Sequence, residues 1–529
     1  MATDSDVAIV GGGPVGLALA LDLGGRGVRC VVVERHESPQ PVPKGQNLTQ
    51  RTMEHFRWWG IEDEIRSARV MPAGAPTGGV TAYGTLLGGY TYDWWQRAKV
   101  RPYYYTDNER LPQYRTEAVL RAAVAALPSV TLRVGWTAEG LEQTADSVEV
   151  DVRPTMGGPI ETISANHLVG CDGSHSIVRL KAGIAEHRAD HDKTMALLVF
   201  RSPELNRLLA HHRDSSFFKV LHPRFDGYWQ FLGRVDADEH WFFHAPIDDA
   251  EGAAGDEAQL VYRAVGAEFA VDVEYSGTWD LRTATAASYR AGRVFLAGDA
   301  AHSHPPYGGF GINLGLEDAR NLGWKLAATI GGWGGERLLD SYDAERRPVF
   351  SSTASEFIEG FIERDRAFVR AYDPARDRTA FEREWDRQRI SSNAGVRGFE
   401  PNYEGSPIVV GGQEGSEPSA LGSHSFEARA GHHLPPARLS SGATIDTAFG
   451  SELTLIALGD PTAAEAFGRA ARWLHIPLEV VSDSYRDERE RYRAPLILLR
   501  PDHFVAWVGK SPDDPDAILR CATGRPPSR

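Results

Sequence analysis

Cysteine is nearly absent: 529 residues hold three, Cys30, Cys171 and Cys521, far apart and with no CxxC pair. That spacing excludes a clustered zinc site and a dithiol redox motif, and it suits a reducing compartment. Positive charge is also short, with 57 Lys and Arg against 72 Asp and Glu, a formal net charge of −15 and no basic run. Such a balance argues against a surface that wraps nucleic acid. No apolar stretch approaches the ~20 residues needed to cross a bilayer. The opening MATDSDVAIVGGG has no basic start, and glycine breaks its apolar run, so no secretory signal is expected. What these absences leave is a cytoplasmic, globular protein that works on small molecules, with no nucleic-acid and no membrane partner. At 42% hydrophobic and 24% charged residues, the chain can bury a large core and fill two or three domains.

What is present begins with glycine. VAIV (7–10) reads as a buried strand, Gly11-Gly12-Gly13-Pro14-Val15-Gly16 as a turn, LALALDLGGRG as a helix, and CVVVE, ending at Glu34, as a second strand. In such a βαβ unit the glycines allow a tight turn, close approach of a pyrophosphate and close helix packing, while the helix N-terminus supplies amide donors. Glu34 falls where a carboxylate meets a ribose 2′-hydroxyl, which suits FAD or NAD(H) and disfavours a 2′-phosphate. GxGxxG alone is a weak signal, because glycine turns often serve only a connection; its place between strand and helix strengthens it.

Two later stretches extend the pattern. LVGCDGSHSIVR (168–179) closes a strand on Asp172-Gly173, readable either as a functional turn or as a plain Asx cap. RVFLAGDAAHSHPPYGGFGINLG (293–315) runs from a strand to Asp299, then through Pro305-Pro306 and bare glycines to Asn313 and a helix. A carboxylate at a strand end can bind the hydroxyls of a sugar-like chain, and amides at a helix start stabilise negative charge on a planar ring. Together these suit the ribityl chain and isoalloxazine of a flavin.

In that order, GGGPVG, CDGSHSIVR and AGDAAHSHPPYGGFGINLGLEDARNLGWKL resemble the FAD-dependent aromatic hydroxylases, the single-component monooxygenases typified by p-hydroxybenzoate and phenol hydroxylases. TQRTMEHFRWWGIEDEI (49–65), LPQYRTEAVLRAA (111–123) and SYDAERRPV (341–349) extend the likeness over about the first four hundred residues, nearest the dichlorophenol and phenol hydroxylase branch. That branch also includes tailoring hydroxylases of polyketide and other natural-product pathways. The resemblance implies an α/β fold: a Rossmann-like FAD-binding domain with an inserted antiparallel-sheet substrate domain and a C-terminal thioredoxin-like α/β domain. The expected limits are 1–185 and 289–400 for the FAD-binding domain and 186–288 for the substrate sheet, with 72–105 adding to that sheet or to a lid. The C-terminal domain takes 401–529, where RPDHFVAWVG matches the signature of the phenol hydroxylases.

The same resemblance implies FAD as cofactor, NADPH or NADH as co-substrate, and O2 and a small aromatic compound as the other reactants. One oxygen would pass through a flavin C4a-hydroperoxide to a phenol-like or heteroaromatic ring. Implied cofactor-binding residues are Gly11, Gly13, Pro14, Val15, Gly16, Glu34, Arg35, Lys44, Gln113, Asp172, Asp299, Pro306, Gly309, Gly311, Ile312 and Asn313. Relatives often read PRAH where this chain has Pro43-Lys44-Gly45-Gln46. Lys44 keeps the charge but loses the planar fork of arginine. Gln46 takes a place where histidine could pass protons, and glutamine is no general base. Pro306, with its backbone carbonyl, and Gln46 are the candidate catalytic positions.

Between the second and third motifs, SSFFKVLHP, GYWQFLGRV and EHWFFHAPI mix apolar and aromatic residues in short runs that read as antiparallel strands. Tyr228, Trp229, Phe231, Trp241, Phe243 and His244, with Tyr104 from RPYYY, are candidates for the substrate wall, although half the rings of an alternating strand simply fill core. Family habit favours a homo-oligomer, and no metal site is expected. Two rivals stay open: a flavin-dependent dehydrogenase or oxidase that inserts no oxygen, and a non-catalytic flavin-binding scaffold. A flavin halogenase needs WxWxIP, and none of the 13 tryptophans forms WxW.

Overall fold

Two parallel strands, Ser5–Val10 and Cys30–Glu34, flank the glycine turn in the computed structural model, which describes residues 3–247, 257–413, 415–459, 461–511 and 514–527. Both strands are almost wholly buried, as a run of Val, Ile and Cys requires when a sheet is covered on both faces. Strand Ser5–Val10 also pairs in parallel with Glu161–Gly170, which pairs in parallel with Val294–Leu296, while Val130–Val134 closes the other edge beside Cys30–Glu34. The three sequence motifs therefore leave adjacent strands at the same sheet end, where ligands of doubly wound sheets bind.

Helix Pro14–Gly25 connects the first two strands, and Pro14 at its start already has the φ the helix needs. It is apolar nearly all round because it lies between the sheet and helices Gln113–Ala125 and Gly311–Ile330.

The second sheet runs Thr91–Trp94, Gly79–Tyr83, Phe217–Leu221, Trp229–Arg234, His240–Ile247, Glu186–Arg201, Asp272–Ala286 and His302–Ser303. Its pairings are antiparallel except one: Gly79–Tyr83 lies parallel to Phe217–Leu221, because that strand arrives from a distant part of the chain. One face meets the flavin-motif loops and helices; the other packs on helix Glu257–Val265 through Val80, Phe218, Trp241, Phe243 and Val261.

A third sheet has the order Leu478–Asp483, Leu453–Leu458, Leu496–Leu499, Val505–Gly509. The first pair is parallel, connected by helix Pro461–Trp473, and the rest is antiparallel, the thioredoxin-like pattern. Cys521 is the one cysteine after Cys171 in the chain, so this unit has no dithiol to use.

The RPD of RPDHFVAWVG docks this unit on the first. Arg500 donates to both oxygens of Glu345 at 2.6 and 2.9 Å and to Asp502 at 2.6 Å; Lys325 reaches Glu345 at 2.7 Å and Trp324 reaches Asp502 at 3.1 Å. Every one of these side chains is fully buried.

Candidate active site

The sheet end of the glycine turn opens into a cavity of about 650 Å³ that continues to the second sheet. At one end lie Gly11, Gly13, Pro14, Val15, Glu34 and Arg35; in the middle Lys44, Gln113, Asp172, Asp299, Pro306, Gly309, Gly311 and Ile312; at the far end Gln46, Phe231 and His244. All of these are positions that the sequence picked out.

Local chemistry builds the first end. Gly11 has φ +106°, and a Cβ there would stand 2.2 Å from the Cys171 carbonyl oxygen, so only glycine keeps this turn against the neighbouring strand. A Cβ on Gly16 would meet the Gly11 carbonyl at 1.9 Å, so Gly16 acts by letting the helix close on the turn and not by lining the cavity. Gly13 caps the helix with no side-chain bond, which leaves the first amides facing the cavity. Glu34 accepts from the backbone N–H of Gly12 at 2.6 Å and of His36 at 2.7 Å, which fixes its carboxylate at the rim.

The middle is held from behind. Asp318, on helix Gly311–Ile330, accepts from the Gly298 backbone N–H at 3.0 Å, His302 at 2.7 Å and Arg346 at 2.7 Å, and so sets the turn that presents Asp299. Asp299 itself lies open to the cavity with no protein hydrogen bond among the described residues. Surrounding protein pushes its carboxyl upward, against the pull of His302 and Lys44. Asn313 does not line the cavity: its side chain accepts from Thr49 N and Thr52 Oγ1 and donates to the carbonyls of Asn47 and Gly309. It staples two walls together, and helix Gly311–Ile330 begins beside it with no side-chain cap.

Asp172 takes the plainer of its two readings in part. Its oxygens accept from Ser176 Oγ at 2.6 Å and from the backbone N–H groups of Ile177 and Val178, so it caps helix Ile177–Lys181 while facing the cavity.

At the far end strand parity decides. On His240–Ile247, Phe242 and His244 line the cavity, whereas Trp241 and Phe243 point to the opposite face and join the outer core. Phe231 lines it, but Trp229 stacks on Tyr307 at 4.2 Å and bonds Asp365, Tyr228 meets His191 at 3.2 Å, and Tyr104 stacks on His433 at 5.4 Å. Five of the aromatic positions singled out thus lie off the cavity: Trp241 and Phe243 because they point to the other face of their strand, and Trp229, Tyr228 and Tyr104 because neighbouring side chains from elsewhere in the chain cover them.

Sequence reasoning passed over Phe242, Arg110 and His304, all on the wall. Period-two alternation with His244 could have found Phe242; nothing in the pattern marked the other two. His304 bonds the Pro305 carbonyl through Nδ1 at 2.5 Å, leaving Nε2 buried and unpartnered, and burial pushes the ring down to about 4. Burial does the same to His244, also to about 4.

Two uncapped helix starts, a carboxylate with no protein partner between them and a wall with unmet polar atoms make a cradle fitted to an elongated ligand carrying a diphosphate, a polyol and a flat ring, as FAD does. A family model described as FAD binding domain matches residues 4–356, and one described as aromatic-ring hydroxylase, C-terminal, matches residues 427–526. The chain belongs to the FAD-dependent aromatic-ring hydroxylases. Within this family it is 30% identical to 4-methyl-5-nitrocatechol 5-monooxygenase from Burkholderia sp., over 97% of this chain and 96% of that one. It is 29% identical to tetracenomycin A2 monooxygenase-dioxygenase from Streptomyces glaucescens, over 98% and 96%. Among solved structures, the rebeccamycin biosynthetic enzyme RebC with reduced flavin is 31% identical over 98% of this chain and 99% of that one, with a TM-score of 0.83. No described helix is long and apolar enough to cross a membrane.

Proposed function

We propose that this hydroxylase inserts oxygen into a phenol-like ring of a bicyclic or larger natural product, and that the residues along the cavity divide the work by position. One observation carries this reading: a single continuous cavity joins the glycine turn to the aromatic wall of Phe231 and Phe242, so a cofactor ring and a substrate ring share one space. The relatives named for nitrocatechol and tetracenomycin support an aromatic, oxygen-bearing substrate.

In this reading Gly11 to Val15 and the helix behind them hold the diphosphate, Glu34 the adenosine ribose and Asp299 the ribityl hydroxyls. The amides of Gly311 and Ile312 face the ring, with Gln113 and Lys44 at its flank. FAD, once bound, supplies the redox chemistry that takes hydride from NAD(P)H and activates O2. The chain's own part is to orient and to keep water out. Phe231 and Phe242 set the plane of the substrate, Pro306 bounds the space beside it, and the neutral imidazole of His244 can accept or donate one hydrogen bond to a substrate oxygen. Gln46 cannot take a proton, which leaves deprotonation of the substrate to an imidazole or to water.

Sheet membership supports unit limits near 185 and 288, with 79–83 and 91–94 serving the substrate sheet, whereas the limit at 400 rests on the shift in composition alone, since strand Phe399–Asn402 crosses it to pair with Ser419–Leu421. A cytoplasmic location and a homo-oligomeric state belong to the same reading; gel filtration against standards reads the second. The decisive experiment mixes FAD-loaded protein with NADPH or NADH and a panel of phenols. A hydroxylase shows reduction accelerated by one class of phenol and a product heavier by one oxygen. Rapid reduction with no aromatic and no added oxygen would favour a dehydrogenase or oxidase.

A further inference from the structure

Arg110 is 3% exposed and lines the far end of the cavity. It sits on the short strand Glu109–Arg110, held against Asn47–Leu48, and its guanidinium reaches under the substrate sheet. One nitrogen, Nη2, donates to Gln46 Oε1 at 3.1 Å and to the Arg234 carbonyl. Nε is buried with no partner, and Nη1 has no protein hydrogen bond among the described residues. No carboxylate among the described residues pairs with it; the charge that acts on it is another cation, Arg234, and burial with that neighbour pushes Arg110 down to about 9. Arg320, Arg346 and Arg500, equally buried, are paired with Asp22, Asp318 and Glu345; Arg97 and Arg234 are buried without a carboxylate among the described residues, but neither lines the cavity. A guanidinium held out of water without an anion is costly, so such sites are completed by a ligand or shift their proton.

Gln46 points the same way. Arginine has no acceptor, so the glutamine must turn its oxygen to Arg110, and its Nε2 is then a donor. That Nε2 is buried and unpartnered. Two neighbouring residues thus leave only donors unmet, one of them cationic, beside Phe231, Phe242 and His244.

This inference rests on the hydroxylase reading and narrows its substrate. We infer that the substrate is an aromatic acid: it carries a carboxylate, or an equally acidic ionised hydroxyl, that docks between Arg110 and Gln46 while its rings lie against Phe231 and Phe242. The FAD diphosphate is the rival anion. It is assigned to the glycine turn and the uncapped helix start at the other end of the cavity, whereas Arg110 sits against the substrate sheet, within 6.0 Å of the Phe217 and Phe242 rings. His244, held neutral, does not supply the charge, which leaves Arg110 as the cation on this wall.

The test is binding to FAD-loaded protein at pH near neutrality, read by perturbation of the flavin absorbance, for matched pairs of mono-, bi- and tricyclic hydroxyaromatic carboxylic acids and their primary carboxamides, hydroxynaphthoic acid and hydroxynaphthamide among them. The acid of at least one pair is expected to bind tenfold or more tightly than its amide. Arg110→Met removes that preference and leaves FAD affinity unchanged; Arg110→Lys keeps part of it, because charge remains and the fork is lost. Gln46→Glu, which is isosteric and supplies the missing anion from within, weakens the acid and spares the amide. Equal binding of acid and amide throughout the panel overturns the inference, as does a preference that survives Arg110→Met. An Arg110→Met protein that loses FAD by the same factor overturns it too, since the arginine would then serve the cofactor. Acid-selective binding without oxygen insertion would sink the hydroxylase reading and leave the anion site standing.

Discussion

The junction with the C-terminal unit and the cavity are both rich in buried polar groups, and they treat them in opposite ways. At the junction, Arg500, Glu345, Lys325, Asp502 and Trp324 spend their hydrogen bonds on one another. Burial alone would raise the Glu345 carboxyl, but Arg500 and Lys325 hold it well below the ordinary carboxylate range. In the cavity, Gln46 Nε2, Arg110 Nε, His244 Nδ1 and His304 Nε2 are buried with no partner. The junction network, closed but for Asn321 Oδ1, is glue between units; the open groups on the cavity wall are half of a contact whose other half is a ligand. The contrast follows from the cost of an unmet buried polar group, about 1–3 kcal/mol each, which the protein tolerates where a bound molecule offsets it.

That contrast can be broken most sharply at the junction. Arg500→Met leaves Glu345 and Asp502 buried without their main cation, and the cost is expected at about 3–5 kcal/mol; a urea midpoint equal to that of the unaltered protein would show that the network is ornamental. The cavity histidines should respond to acid instead. His244 is held at about 4 against an ordinary 6.5, so an unfolded chain takes up a proton first as pH falls. Stability is therefore full above about 6.5 and is lost as pH drops toward 4, by up to about 3 kcal/mol for this residue. Denaturation midpoints of the cofactor-free protein across that range should fall less steeply in His244→Leu.

Asp299 sharpens the comparison from the ligand side. Asp299→Ala is expected to lower FAD affinity at least tenfold, the loss of charge-assisted hydrogen bonds worth about 1.5–3 kcal/mol, visible as pale protein after purification. The cofactor-free form should be no less stable at neutral pH, because a carboxyl raised by its surroundings weakens the fold above the ordinary carboxylate range and is neutral below it. Yellow protein with undiminished flavin affinity would remove Asp299 from the site. The smallest effect concerns the two faces of one strand: Phe242→Leu should raise KM for the aromatic substrate several-fold with a stability change of about 1 kcal/mol, whereas Trp241→Leu should lower stability more and leave KM alone. If both variants move KM equally, the division of the strand is wrong.

Much of this was readable in the residues. GGGPVG after VAIV, with Glu34 closing the next strand, specified a βαβ turn because no other residue set permits φ +106° at Gly11 and contact with the Cys171 carbonyl together. The flavin motif at 293–315 likewise announced its strand, its turn and its helix. The substrate wall was half legible: His244 with period-two alternation pointed to Phe242, but the neighbouring Trp241 and Phe243 looked equally suited to the wall by composition.

The sequence by itself determined the elements, their order and the cofactor-facing turns, since these depend on neighbours within a few residues: glycines where a Cβ would clash, apolar runs where a sheet is covered, a proline where a helix starts. Only the tertiary structure decided that Trp241 faces core while Phe242 faces the cavity, that RPD clasps the C-terminal unit to the first, and that Arg110 stands without an anion among the described residues. Those facts depend on what residues hundreds of positions away bring alongside, and burial, which makes a charge costly or a ring useful, exists only once the chain has closed around it.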